Sequence, residues 1–125
     1  MKFDEKRVII AGGGTGGHLF PAIAIGETLE KDGMQVKYIG SKNGIEAKGN
    51  YIEKNKIELL DLYGVSRSFS LNSFKSNILL LIKIIKSYKK VKNTIDTFKP
   101  DLVIGTGGYS CAIPLYLAQK KNIHT

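Results

Sequence analysis

Two stretches of this sequence carry residue types suited to anion chemistry: Gly13-Gly14-Thr15-Gly16-Gly17-His18 and Gly105-Thr106-Gly107-Gly108-Tyr109. Each gathers glycines around a threonine and closes on a ring side chain. Glycines let backbone approach a ligand with no Cβ in the way. Ahead of a helix, such backbone offers free N–H groups and the positive end of the helix dipole to an anion. Two loops facing one crevice suit a diphosphate better than a single phosphate. His18 places an imidazole beside that anion, as general base on an acceptor hydroxyl or as hydrogen-bond donor to phosphate or backbone. The donor role is favoured, because an anionic neighbour favours the protonated ring. The competing reading is two tight strand-to-helix turns with no ligand.

Spacing separates the phosphate-loop patterns. A nucleoside-triphosphate loop needs G-x-x-x-x-G-K-[ST], but Gly12 to Gly17 is followed by His18-Leu19, so that pattern fails. The dinucleotide fingerprint G-x-G-x-x-G is met by Gly12, Gly14 and Gly17. It also needs an acid near the end of the second strand to hold the ribose. The segment Tyr38-Ile39-Gly40-Ser41-Lys42 has none, which disfavours NAD.

The elements that must position these loops follow from periodicity. Val8 to Ala11 reads as a buried strand. Pro21 to Lys31 reads as a helix with Ala22, Ile25 and Leu29 on one face, Pro21 in its first turn and Asp32-Gly33 ending it. Gln35 to Gly40 is a second strand, and Asn43 to Asn55 a short helix carrying Ile45, Tyr51 and Ile52. Ile57 to Leu62 is a third strand, and Tyr63 to Leu71 a loop. Asn72 or Ser73 caps a long helix reaching about Phe98, which Lys99-Pro100 stops. Asp101 to Gly105 is a fourth strand, Ala112 to Lys121 a helix, and Ile123-His124-Thr125 the opening of a fifth strand. Strands alternating with helices argue an α/β fold, a doubly wound parallel sheet of Rossmann-like type. In the order 3-2-1-4-5, strands one and four are neighbours, and ligands bind at their carboxyl ends. Both glycine loops fall there.

The length of 125 residues gives one domain, 1–125, and 42% hydrophobic content excludes disorder. Cys111 is the sole cysteine, so no internal disulfide forms; it reads as a small buried residue in a protein of a reducing compartment. His124 reads as structural. Met1 to Arg7 is charged and leads into four apolar residues, so no signal peptide is expected. The longest apolar run, Ile78 to Ile85, is broken by Lys83 and falls far short of the roughly 20 residues that span a bilayer.

The net charge of +8 asks for an acidic partner. From Leu62 to Ile95 there is no acid, while Arg67, Lys75, Lys83, Lys86, Lys89, Lys90 and Lys92 fall inside. On the long helix Leu81, Ile84, Tyr88, Val91 and Ile95 share the face expected to meet the sheet. Ile78, Leu79 and Ile82 point elsewhere, beside Lys75, Lys86, Lys89 and Lys90. An apolar patch bordered by lysines suits an anionic membrane surface. Nucleic acid is the rival, but no aromatic ladder or recognition motif accompanies the lysines. A solvated lysine face is the bland alternative.

Gly13-Gly14-Thr15-Gly16-Gly17-His18 followed by Pro21-Ala22 resembles the signature of the MurG family, bacterial N-acetylglucosaminyltransferases of cell-wall synthesis. Gly105, Gly107, Gly108 and Tyr109 match that family's G-x-G-G-Y loop by position, although Ala112-Ile113-Pro114 keeps its small-residue-then-proline sequel only loosely. The resemblance covers Arg7 to Thr125. It implies a GT-B enzyme of two Rossmann-like domains, of which this sequence is the amino-terminal acceptor and membrane-side domain. A carboxy-terminal donor domain, absent from this sequence, would hold most uridine and GlcNAc contacts. The implied reaction transfers GlcNAc from UDP-GlcNAc, with inversion and without metal or other cofactor, to an undecaprenyl-diphosphate-linked acceptor (lipid I, giving lipid II). By the same resemblance, Thr15, Gly16 and Gly17 also approach the donor, and the enzyme docks peripherally on the inner face of the cell membrane. The 125 residues alone are expected to be inactive. A membrane-side subunit of a split N-acetylglucosaminyltransferase and a non-enzymatic diphosphate-lipid binding module stay open as alternatives.

Overall fold

The computed structural model describes residues 5–63 and 70–125; Arg67 therefore lies outside the described residues. The chain runs β1 (Arg7–Gly12), α1 (Gly16–Lys31), β2 (Gln35–Ser41), α2 (Ile45–Lys48), β3 (Ile57–Leu60), α3 (Leu71–Phe98), β4 (Leu102–Gly107) and α4 (Ala112–Lys120). The four strands form one sheet in the order β3-β2-β1-β4, and every pairing is parallel. Beyond α4 the backbone N–H of Val103 donates to the carbonyl of His124 at 2.9 Å, and His124 bridges Leu102 in parallel. That places the chain end on the β4 edge, where the order 3-2-1-4-5 puts a fifth strand.

Side chains alternate across a strand, so β1 feeds two cores at once. Ile9 and Ala11 join Ile39, Leu60, Val103, Val91, Ile95 and Leu117 on the α3–α4 side. Val8 and Ile10 join Val36, Tyr38 and Ala22 on the α1 side. Burial on both faces is why β1 is apolar without alternation.

Several boundaries differ from the sequence reading, each for a physical reason. Helix α1 opens at Gly16, five residues before Pro21, which lies inside the helix. Glycine's poor helix propensity hid this turn; Leu19, 1% exposed, anchors it to the core. Pro21 supplies no N–H to the Gly17 carbonyl. Helix α2 spans only Ile45–Lys48. Tyr51, expected on a longer helix, instead meets Phe20 edge-on with ring centroids 5.6 Å apart. Strand β3 ends at Leu60, not Leu62, whereas β4 runs on to Gly107. Helix α3 is capped by Ser70 rather than Asn72 or Ser73: its hydroxyl accepts from the Ser73 N–H at 3.2 Å. Lys99 ends α3 in the left-handed conformation at φ 53.

The inner face of α3 also needs correction. Val91 and Ile95 are buried and Tyr88 packs beside them, but Leu81 is 57% exposed and Ile84 is exposed too. Leu80, Ser87 and Thr94 take the buried positions instead. Hydrophobicity alone misled here, because Ser87 and Thr94 are polar yet buried, and Thr94 is hydrogen-bonded where it sits. The Thr94 hydroxyl donates to Glu58 of β3 and also lies 3.1 Å from the Lys90 carbonyl.

Asp96 ties α3 to α4 by accepting from Lys121 at 2.6 Å and from Lys92 at 2.8 Å. Those hydrogen bonds, the Lys121 one first, lower its pKa from 3.8 to about 2. A depressed carboxylate contributes stability above its unfolded pKa and loses it as pH falls through the folded value. The melting-temperature gap between the parent and Asp96→Asn should therefore be present above pH 4 and close as pH falls towards 2. A gap independent of pH would assign Asp96 another role.

Candidate functional site

Strands β1 and β4 lie side by side and both end in glycine loops. Their register shifts between Ala11 and Gly12, so that Gly12 pairs with Gly107. The shift brings the two loops together at His18. The Thr106 hydroxyl donates to the His18 carbonyl at 2.8 Å. His18 Nδ1 lies 3.3 Å from the Gly13 carbonyl and 3.4 Å from the Thr15 hydroxyl. A carbonyl only accepts, so the Gly13 contact assigns the proton to Nδ1 and leaves Nε2 for another partner.

The second loop fits against the first with no room for a side chain. Gly107 and Gly108 have φ 117 and 87, where L side chains are strained. A Cβ on Gly107 would lie 2.5 Å from His18 Cδ2, and one on Gly108 would lie 2.6 Å from the Gly13 carbonyl oxygen. Gly13, Gly14, Thr15, His18, Gly108 and Tyr109, with Ser41, Asn43, Leu62 and Tyr63, line a pocket of about 290 Å³. The amides of Gly16 and Gly17 open α1 and have no intrahelical acceptor, so they are available to an anion. Gly105 pairs with Ala11 inside the sheet, and the Thr106 side chain is spent on His18. Tyr109 is 66% exposed.

One residue of this site went unread in the sequence. Glu46 is 6% exposed, and its carboxylate accepts from the Gly14 N–H, 3.0 Å from both oxygens, and from the Ser41 N–H at 2.6 Å. A Cβ on Gly13, Gly40 or Gly44 would run into this side chain. The segment Tyr38 to Lys42 has no acid of its own, but Glu46 of α2 brings its carboxylate back to the end of β2. It does not serve a ribose, because its oxygens face inward onto backbone amides. It also takes the Gly14 amide, so Gly14 shapes the loop without offering that N–H to a ligand. Two glycines shortly before a lone acid, Gly40 and Gly44 ahead of Glu46, were the available signal.

Cys111 is half-buried, and its Sγ donates to the Gly108 carbonyl at 3.1 Å, which ties the second loop to the start of α4. Among the described residues no cluster of His, Cys, Asp and Glu gathers as a metal site.

On α3, Ile78, Leu79 and Ile82 are exposed, and Leu71, Phe74, Leu81 and Ile85 are exposed with them. Lys75, Lys86 and Lys89 are exposed on the same helix. Lys90 differs: its Nζ donates to the Leu59 carbonyl at 2.9 Å and lies 3.9 Å from Glu58, so it is held against β3. Lys83 is likewise paired, with Asp61 at 2.9 Å. No helix among the described residues is long and apolar enough to cross a membrane.

A parallel sheet with two glycine loops converging at its switch point defines a Rossmann-like domain. The chain matches the glycosyltransferase family 28 N-terminal domain over residues 8–125, and it belongs to that family. It is 46% identical over 123 residues to the UDP-N-acetylglucosamine–N-acetylmuramyl-(pentapeptide) pyrophosphoryl-undecaprenol N-acetylglucosamine transferase of Oenococcus oeni, covering 95% of this chain and 31% of that protein. The enzyme of the same name from Leuconostoc citreum is 43% identical, with 95% and 32% covered. The crystal structure of Acinetobacter baumannii MurG superposes with a TM-score of 0.73 at 28% identity, covering 94% of this chain and 33% of that one. The chain thus spans about a third of the length of these relatives.

Proposed function

We propose that this chain is the acceptor-side domain of an inverting glycosyltransferase that moves GlcNAc from UDP-GlcNAc to undecaprenyl-diphospho-MurNAc-peptide in peptidoglycan synthesis. The observation that carries the proposal is the convergence of both glycine loops on His18 where β1 and β4 end. In this reading Gly13 to Gly17 and Gly105 to Tyr109 frame the acceptor diphosphate, with the open amides of Gly16 and Gly17 and the α1 dipole opposing its charge. His18 holds the first loop through Nδ1, and Nε2 is the nitrogen left to meet the acceptor. The names of the Oenococcus and Leuconostoc relatives supply the sugar, the nucleotide and the lipid. The remaining two thirds of such an enzyme would bind the donor.

The test is transfer of labelled GlcNAc by this chain fused to the donor domain of the Oenococcus relative. Transfer to the lipid-linked acceptor is expected, and none from the 125 residues alone. Holding donor and acceptor in line can be worth an effective molarity of about 10⁵ M, which one wall of a cleft cannot supply. Good transfer to a nucleotide or protein acceptor, with none to the lipid, would refute the proposal.

We further propose that the outward face of α3 docks on anionic membrane. Ile78 and Ile82, 45% and 44% exposed, would enter the interface while Lys75, Lys86 and Lys89 meet headgroups. Each such lysine is worth about 1 kcal/mol, so removing the three should weaken vesicle binding roughly a hundredfold. Lys90, engaged with Leu59 and Glu58, should matter less. Ile78→Ser with Ile82→Ser should leave the melting temperature within about 2 °C, as for other exposed positions. It should also abolish the salt-resistant part of vesicle binding. A large loss of stability instead would mark these isoleucines as core.

A further inference from the structure

A second cavity, of about 220 Å³, adjoins the glycine-loop pocket. Leu80 and Ile84 of α3 line it together with Ala112 and Ile113 of α4. Leu62, Tyr63 and Tyr109 belong to the walls of both cavities. The lining is hydrocarbon apart from two phenol groups, and the Tyr63 hydroxyl is occupied, donating to the Ser76 carbonyl at 3.2 Å. Nothing polar in this cavity would recognise a sugar or a peptide. From Ile84 the surface of α3 continues into exposed Leu81 and Ile85. A polar anion pocket, an apolar cavity and an exposed apolar helix face thus succeed one another.

We propose that this cavity binds the diphosphate-proximal isoprenoid units of a prenyl diphosphate, while the rest of the chain leaves along α3. The proposal rests on the reading that the glycine loops hold the diphosphate. A leucine- and isoleucine-lined cavity of about 150 Å³ takes up benzene, so this one has room for roughly one or two five-carbon units. The chain length beyond those units goes unread, as a membrane-embedded tail requires. Because the cavity wall is shared with the anion pocket, the first units of a prenyl group attached to the bound diphosphate lie next to the cavity.

Titration of the 125-residue chain with inorganic diphosphate and with geranyl diphosphate tests the proposal. The parent should bind geranyl diphosphate roughly ten- to a hundredfold more tightly than inorganic diphosphate. Ala112→Trp, which fills the cavity from an exposed position, should remove that preference and leave inorganic diphosphate binding unchanged. Ile84→Gln, which makes the wall polar, should reduce it in the same way. Circular dichroism checks each fold, and if one variant is misfolded the other decides. Equal affinity of the parent for both ligands would overturn the prenyl site and leave the diphosphate reading standing. A preference surviving the folded variants would place the prenyl group elsewhere and overturn the proposal. Binding of neither ligand would refute the diphosphate reading and this proposal with it.

Discussion

Glu46→Ala is expected to destabilise the domain by about 3 kcal/mol, lowering the melting temperature by about 10 °C. The substitution leaves the Gly14 and Ser41 amides without their acceptor, and a buried unsatisfied donor costs about 1–3 kcal/mol. It also empties the space that Gly13, Gly40 and Gly44 leave for this side chain. Glu46→Gln should cost less than half as much, because its Oε1 still accepts from Ser41 and Gly14; the cost that remains comes from the NH₂, which meets the Gly14 N–H donor against donor. Thermal melts of the three proteins decide it. An alanine variant melting within about 2 °C of the parent would show that the carboxylate does not hold the loop.

Gly108→Ala should weaken diphosphate binding about a hundredfold while the sheet survives. Its φ of 87 carries a strain of about 1–2 kcal/mol for any L side chain. The added methyl must also displace the Gly13 backbone, which lies 2.6 Å from the new Cβ position. The two loops are then pushed apart at the pocket they line together, where the diphosphate is proposed to bind. Gly14→Ala is the control for stability: its φ of 89 brings the same strain, but its Cβ would meet nothing within 4 Å. Chemical denaturation should rank Gly108→Ala clearly below Gly14→Ala. Equal losses would mean that backbone strain, and not the close approach of the loops, fixes glycine at 108.

Much of this architecture is legible from local pattern. The apolar run at Val8–Ala11, the Lys99-Pro100 stop and the repeated glycine loops each state their structure within a few residues. The parallel sheet follows from alternation and handedness, and its order from the Rossmann-like class they point to. What stays hidden depends on contacts distant in sequence. Gly16 and Gly17 are poor helix formers, yet they are helical because Leu19 and Thr106 hold the turn they open. Ser87 and Thr94 look like surface residues of α3 but are buried. Glu46 sits in a polar segment read only as a short helix, and only the folded chain brings its carboxylate 32 residues back to Gly14. The lysines show the same limit: Lys89 and Lys90 are neighbours in sequence, but only Lys90 is drawn against the Leu59 carbonyl.

The placement of β1 between β2 and β4 also dictates an order of assembly. Pairing with β2 closes a short local loop, whereas the Arg7–Asp101 contact at the start of the β1–β4 ladder spans 94 residues. Non-local parallel pairing is slow, because loop-closure entropy is lost before the contacts that reward it form. On a ribosome adding about 5–20 residues per second, β1 waits roughly 5–20 s for β4 to be synthesised. Throughout that interval one edge of the most apolar strand stands unpaired, a template for misassociation. The pocket between the two glycine loops exists only once that last pairing is made, so a nascent chain gains its proposed anion site and closes its central strand in the same event.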